Sequence, residues 1–311
     1  MASNDADRFV LVLGGSGFIG SSICARMVAS GWRAIVPTRR EQHANHLLPL
    51  PSVDVVVKAD IHDDATLDRL VRDLDAVINL VGILHGSAAQ YERVHVELPR
   101  RVAAACARNG VHHLLHMSAL GASPDAPSMY LRSKAAGEAA ARSEPAVGVT
   151  VFRPSVVFGP GDNLLNLFAW LQKWLPVMAI GGADARFQPV FVEDVARVFV
   201  MALNEPRSAG WTFELGGPQI YTLRELVRMA GRYSGHARPI IGLPQGLARL
   251  QALLLEWMPG ETLMSRDNLD SLRVDAVTSA SMLDQFGFRP TALEAVAPDY
   301  LRPLRADAPR R

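Results

Sequence analysis

The sequence predicts an α/β chain: a doubly wound parallel sheet with helices on both faces, followed by a smaller α/β lobe. Three observations predict it. Strand-like and helix-like patterns alternate through the first half of the 311 residues, as right-handed β-α-β crossovers require. The strand patterns are continuous apolar runs, the form taken by strands covered on both faces. The first of them breaks at once into Gly14, Gly17 and Gly20, the G-x-x-G-x-x-G spacing of a strand-to-helix turn shaped for phosphate.

The first strand covers Phe9 to Leu13. After it, Gly14 carries the backbone through a tight turn, Gly17 lets main-chain N–H groups approach a pyrophosphate, and Gly20 lets the helix pack against the strand. The helix N-terminus then faces the anion. The second strand is Arg33 to Pro37 and the third Val53 to Val57, followed by Asp60-Ile61 and a helix over 65–73. The fourth strand runs from Ala76 to Val81 and stops at Gly82. A helix over 89–108 follows, with Pro99 expected to kink or split it. The fifth strand, His113 to Met117, runs into Ser118; a helix over 128–143 and a sixth strand, Val149 to Phe152, lead to Pro154. Residues 1–154 therefore read as a dinucleotide-binding domain of the Rossmann type.

Beyond Pro154, Gly159-Pro-Gly161, Gly181-Gly182 and Gly216-Gly217-Pro218 separate shorter elements. Residues 155–311 are expected to form a smaller substrate or partner lobe, with elements returning to the first domain. A strand over 188–192 leads into a helix over 193–203 with Asp194 in its first turn, and 211–215 reads as another strand. Thr222-Leu-Arg-Glu225 and Thr291-Ala-Leu-Glu294 read as capping boxes that open helices. Leu247, Leu250, Leu253, Leu254 and Trp257 recur at helical spacing. That stripe is expected to pack on the lobe's own core, with a partner or membrane-surface contact as the alternative.

Composition bounds the function. The 32 Lys+Arg nearly cancel the 31 Asp+Glu, so no global field draws the chain to nucleic acid. Cys24 and Cys106 lie in helical patterns without metal-ligand spacing, as buried reduced thiols of a cytoplasmic protein do. The polar start of the chain lacks a signal-peptide pattern, and no uncharged run reaches the ~18 residues of a spanning helix. The histidines show no shared metal-site context, so no metal is expected. His85 is the one that borders the crevice.

Tyr130 and Lys134 carry the chemistry. Four apart in a helix, they share one face a turn apart, and an ammonium there is expected to lower the phenol from its reference of about 10 towards usefulness as an acid or base. Ser118 stands at the carboxyl end of the fifth strand, where open α/β sheets bind ligands, and its hydroxyl is a candidate to bond a substrate oxygen. Candidate phosphate contacts are Gly14, Ser16, Gly17, Phe18, Ile19 and Gly20. At the end of the second strand stand Thr38-Arg39-Arg40. With no carboxylate there to accept ribose hydroxyls, and with Arg39 and Arg40 able to meet a 2′-phosphate, NADP(H) is expected over NAD(H).

These residues resemble the short-chain dehydrogenase/reductase superfamily in its extended or atypical branch, which includes NAD-dependent epimerase/dehydratase-like proteins. The glycine turn, Asp60-Ile61, Ser118, Tyr130/Lys134 and Arg153-Pro-Ser-Val-Val-Phe-Gly-Pro-Gly161 match in order. The resemblance implies that Ser118, Tyr130 and Lys134 are catalytic and that Tyr130 and Lys134 also contact the cofactor, Lys134 through the nicotinamide ribose. It places Asp60 and Ile61 beside adenine, Leu80, Val81 and Gly82 along the cofactor, and Pro154 near the nicotinamide. A closer likeness runs through Tyr130-Leu-Arg-Ser-Lys-Ala-Ala-Gly-Glu138, Asp162-Asn-Leu-Leu-Asn-Leu-Phe-Ala169, Gln188-Pro-Val-Phe-Val-Glu-Asp194 and Ser265-Arg-Asp-Asn-Leu269. These are similar to the dinucleotide-binding accessory subunit family of respiratory complex I and its bacterial relatives.

The expectation is an NADP(H)-dependent oxidoreductase acting on an unidentified small molecule. The alternative is a non-catalytic NADP(H)-binding accessory protein with a respiratory or ubiquinone-related partner, peripheral at the inner face of a membrane. Sugar-nucleotide epimerisation or dehydration is a minor alternative: only a short loop, restrained by Pro124 and Pro127, separates Ser118 from Tyr130, and Arg186 is the one basic candidate for a diphosphate.

Overall fold

A computed structural model describes residues 8–257 and 264–302; residues 1–7 of the polar start lie outside them. In chain order, β1 (Arg8–Leu13) leads into α1 (Phe18–Met27), then β2 (Trp32–Thr38), β3 (Val53–Val57), α2 (Asp64–Val71) and β4 (Ala76–Asn79). A three-part helical rod follows: α3 (Ala88–Tyr91), a π-helical stretch (Glu92–Glu97) and α4 (Leu98–Arg108). Then come β5 (His113–Met117), α5 (Met129–Ala141) and β6 (Gly148–Pro154).

The second half holds β7 (Val157–Phe158), α6 (Leu165–Trp174), β8 (Met178–Gly181), β9 (Arg186–Phe187), β10 (Val190–Phe191), α7 (Val192–Asn204), β11 (Thr212–Leu215), β12 (Tyr221–Thr222), α8 (Leu223–Tyr233) and β13 (Ile240–Leu243). Helices α9 (Gln245–Glu256), α10 (Arg266–Ser271), α11 (Met282–Phe286) and α12 (Leu293–Leu301) follow. Two compact units result. The first joins the chain up to Pro154 with Val192–Leu215; the second holds Ser155–Phe191 and the chain from Gly216 onward.

In the first unit seven strands form one sheet in the order β11-β6-β5-β4-β1-β2-β3, every neighbour parallel. Strand order reverses between β1 and β4, the switch point outside whose carboxyl ends open α/β sheets bind ligands. Val10 to Leu13 are fully buried, as are Val77, Ile78, Leu114 and Leu115, each side chain contributing about 1.5–3 kcal/mol. Helix α7 packs on α1, and Trp32 Nε1 donates to Asn204 Oδ1 at 3.0 Å. Cys24 and Cys106 are free and buried, with thiols pushed up to about 12 by desolvation.

The helix is divided where Pro99 is expected to kink or split it. Pro99 is the second residue of α4, and the departure from α geometry lies in the turn before it. Pro99 has no N–H for the carbonyl of His95, four residues earlier, and α5 closes on that carbonyl: a Cβ on Gly137 would stand 2.1 Å from the His95 oxygen.

In the second unit α6 and α8 pack together around the buried Gln172, whose Nε2 donates to the Val227 carbonyl at 2.8 Å. Strands β8 and β13 pair in parallel, and α9 lies on β8. The capping box at Thr222 forms with Glu225. At the one expected to open on Thr291, the N-cap of α12 is Ala292, without a side-chain cap, and Glu294 accepts from the Tyr221 hydroxyl at 2.6 Å. The leucine stripe of α9 is also unlike its expected packing. Ala248 and Ala252 face inward, while Leu247, Leu250, Leu254 and Trp257 are more than half exposed.

Candidate functional site

The phosphate end is built by leaving side chains out. Gly14, at φ +82°, lies against the backbone of Leu80 and Val81 at the switch point, in the left-handed region that glycine enters without steric cost. A Cβ on Gly20 would stand 2.3 Å from the Gly14 oxygen; the close approach is to the turn itself and not to β1, as the sequence suggested. Gly15, given no separate role by the sequence, would drive a Cβ to 2.8 Å from Val36 of β2.

Helix α1 opens at Gly17 without a side-chain cap and without an acidic residue in its first turn, whereas Asp63 caps α2 and Ser128 caps α5. The N–H groups of Phe18, Ile19 and Gly20 have no acceptor inside the helix. A bare helix terminus over a tight glycine turn fits a pyrophosphate. Ser16 is half-buried beside it.

Where the resemblance expects adenine, Asp60 accepts the His62 N–H at 2.9 Å through Oδ1, while Ile61 packs against the core. Arg39 and Arg40 are exposed past β2; the Thr38 hydroxyl donates to the Arg40 carbonyl at 2.8 Å. Burial lowers the His62 pKa, and the charges of Arg93, Arg101 and Arg39 lower it further against Asp60. Arg39 thus belongs to a basic neighbourhood built from three elements.

The polar end is crowded. Ser118, buried at the end of β5, donates its hydroxyl proton to Glu138 Oε1 at 2.5 Å, so the proton expected for a substrate oxygen is already engaged. Glu138 receives Arg153 as a fork, Nε to Oε1 and Nη2 to Oε2, both 2.7 Å, the bidentate geometry of strong charge-assisted pairs. Lys134 is buried and donates from Nζ to the Met117 carbonyl at 2.8 Å. Desolvation pulls its pKa down to about 8 against the opposing pull of Glu138. The Tyr130 phenol is pushed up to about 12 by burial. The lowering expected from Lys134 is absent, and its ammonium donates to the Met117 carbonyl. Pro154 closes β6, its carbonyl accepting from Leu120 N–H at 3.0 Å.

Three residues without a role in the sequence reading complete the cluster. His95, from the π-helical stretch, takes the Ile83 N–H on Nε2 at 3.0 Å and meets Ser133 Oγ through Nδ1 at 2.8 Å. Ser133 in turn donates to the Tyr130 carbonyl, which makes Nδ1 the protonated nitrogen. Burial, then Lys134, hold His95 down to about 3, a neutral ring edge-on to Tyr130 at 5.8 Å between centroids. Gly82 sits against both: a Cβ there would be 3.4 Å from His95 Nε2 and 3.5 Å from Lys134 Nζ. Glu138 was legible in principle, four residues after Lys134 on the same helix face.

Sheet order, glycine turn and the Tyr/Lys helix together define a Rossmann-fold, NAD(P)-binding protein of the short-chain dehydrogenase/reductase type. The chain belongs to the NAD dependent epimerase/dehydratase family, whose profile matches residues 10–216. Among relatives, it is 30% identical to the mouse mitochondrial NADH dehydrogenase [ubiquinone] 1 alpha subcomplex subunit 9 over 94% of this chain and 79% of that protein. It is also 30% identical to a ceramide reductase of Caulobacter vibrioides over 82% of this chain and 80% of the relative. The fold matches a dTDP-glucose 4,6-dehydratase of Streptomyces venezuelae with NAD bound, at a TM-score of 0.72 and 19% identity, over 94% of this chain and 95% of the other. Among the described residues no helix is long and apolar enough to cross a membrane.

Proposed function

We propose that the chain is an NADP(H)-dependent reductase of a small carbonyl compound, working in the reducing cytoplasm. One observation carries the proposal: Tyr130 and Lys134 sit a turn apart on α5, the phenol held protonated well past neutrality and the ammonium anchored at the end of β5. When bound, the dinucleotide supplies the hydride. The chain supplies the proton, from Tyr130 Oη to the substrate oxygen, and Tyr130 recovers it from solvent. Lys134, charged below about pH 8, binds a ribose hydroxyl. Ser118, its own proton turned to Glu138, keeps lone pairs that orient a hydroxyl product.

NADP(H) is the proposed cofactor because Thr38-Arg39-Arg40 offers positive charge and no carboxylate at the end of β2. NADPH is expected to raise the melting temperature more than NADH, and Arg39→Ala to erase the difference; equal shifts in the wild type would reject the preference. For the reductase itself, Tyr130→Phe is expected to abolish NADPH oxidation by carbonyl acceptors while leaving the NADPH-induced shift intact. Turnover that survives in Tyr130→Phe would reject the role.

A second reading is retention of NADP(H) in a respiratory or quinone-related assembly. Ser118, Glu138 and Arg153 satisfy one another, and the mouse relative is a subunit of such an enzyme. It gains if NADPH stays bound and unoxidised across carbonyl and quinone panels. Sugar-nucleotide chemistry has less support: Arg186 is held by Asp275 through Nε at 2.9 Å and Nη2 at 2.7 Å.

A further inference from the structure

Helix α9 is inverted relative to an ordinary packed helix. It buries its small side chains, Ala248 and Ala252, against β8 and α10, where Ala248 lies against Gly181, and leaves its large ones in solvent. Leu247, Leu250, Leu254 and Trp257, spaced three, four and three residues apart, form one exposed stripe. A stripe of that width ordinarily faces a core, and here it is exposed, with no core of described residues over it.

The apolar surface continues past the helix. Gln251, between Leu250 and Leu254, donates to the Ala179 carbonyl of β8 at 3.0 Å. Ala179 is the register partner of the exposed Ile241 on β13, and β8 follows directly on the end of α6, where Trp170 and Trp174 are more than half exposed, one turn apart. Contiguous apolar surface of this extent marks an interaction site.

Charge selects the partner. Over the described residues of the second unit Lys and Arg nearly balance Asp and Glu, eleven to ten, but the positive charge gathers on α8, which carries Arg224, Arg228 and Arg232 against Glu225 alone. Arg224 donates to the Ile240 carbonyl of β13 at 3.1 Å, and Arg228 and Arg232 follow at one and two further turns along α8. Arg238 donates to the Gln172 carbonyl at 2.9 Å, beside Lys173, whose ammonium lies 5.5 Å over the Trp174 ring. Among the described residues Lys173, Arg228, Arg232 and Arg238 form no ion pair. Two copies meeting through this face would bring the same arginines together. An anionic lipid surface satisfies both features at once, with tryptophans suited to the headgroup level.

We propose that this face of the second unit docks on an anionic bilayer surface. Helix α9 lies in the plane with its leucines and Trp257 in the headgroup–acyl boundary, and the arginines of α8 meet lipid phosphates. The test is flotation of the full chain with phosphatidylcholine vesicles made with and without phosphatidylglycerol. The chain is expected to float with the anionic vesicles at low ionic strength and to be released by salt. Leu250→Glu/Leu254→Glu and, separately, Arg228→Glu/Arg232→Glu are each expected to cut partitioning by at least about 10-fold, with melting temperature and NADPH-induced shift retained. Three results would overturn the proposal: no flotation with either vesicle, equal flotation of the variants and wild type, or a dimer in sedimentation that Leu250→Glu/Leu254→Glu dissolves while vesicles are ignored.

Discussion

The β1-α1 turn and the β5-α5 cluster stand at strand ends of one sheet, yet they are made in opposite ways. The turn is shaped by omission: Gly15 and Gly20 leave no room for a Cβ, Gly14 turns the backbone at φ +82°, and α1 opens without a cap. In the cluster, Ser118, Glu138 and Arg153 satisfy one another, Lys134 holds a backbone carbonyl, and His95 is bonded at both nitrogens. On the proposed reading the first region binds an anion, and the second keeps a set of protonation states. Binding and proton management are therefore separable by substitution.

The largest expected effect falls on the cluster. Arg153→Met removes the bidentate partner of a nearly buried carboxylate and leaves it only the Ser118 hydroxyl and Arg142 at 3.9 Å; breaking a buried pair costs about 3–5 kcal/mol, and urea unfolding should show a loss towards the lower end of that range. Loss below 1 kcal/mol would mean that Glu138 is solvated or paired elsewhere. Close approach is the next most costly to disturb. Gly137→Ala brings a methyl group onto the His95 carbonyl and should cost about 1–3 kcal/mol, typical of overpacking, while NADPH binding persists in the folded fraction. Gly20→Ala, with a similar clash in the turn, should weaken NADPH binding as well. Equal behaviour of the two variants towards NADPH would erase the distinction drawn between the regions.

Acid gives a smaller, graded effect. His95 is held neutral to about pH 3 in the fold, but an unfolded imidazole takes up a proton below about 6.5. Unfolding therefore binds a proton between those values, and stability falls by about 1.4 kcal/mol per pH unit of acidification below about 6.5. His116, also held well below its ordinary range by burial, adds in the same direction. His95→Gln should flatten part of that slope in pH-dependent unfolding. At the alkaline side, turnover should fall as pH rises through about 8, where Lys134 loses its charge, with no second limb from Tyr130 until far higher pH.

Much of this was legible in the chain itself. Continuous apolar runs gave the positions of the six strands from β1 to β6, the glycine spacing located the turn, and Tyr130 and Lys134 lie together on α5 by helical periodicity alone. What was not legible depends on contacts distant in sequence. Ser118 and Glu138 are 20 residues apart and meet only once β5 and α5 are packed. The π-helical stretch that brings in His95 has no local signature beyond Pro99, whose missing N–H acts four residues upstream. For α9, periodicity revealed an apolar stripe but not which side would be covered; the alanines opposite it were the overlooked signal.

The central claim is that the uncapped start of α1 is kept for a phosphate. Gly17→Asp tests it most directly, because Gly17 has an extended backbone, φ −81° and ψ 177°, that aspartate adopts at N-caps. The new carboxylate would take the first-turn N–H groups and oppose the dinucleotide at close range, where like charges interact by about 4 kcal/mol at a protein surface. Titration of wild type and Gly17→Asp with NADPH, followed by calorimetry, should show affinity falling by on the order of 10²–10³-fold while the ligand-free melting temperature is held. Undiminished NADPH affinity in a folded Gly17→Asp protein would contradict the account.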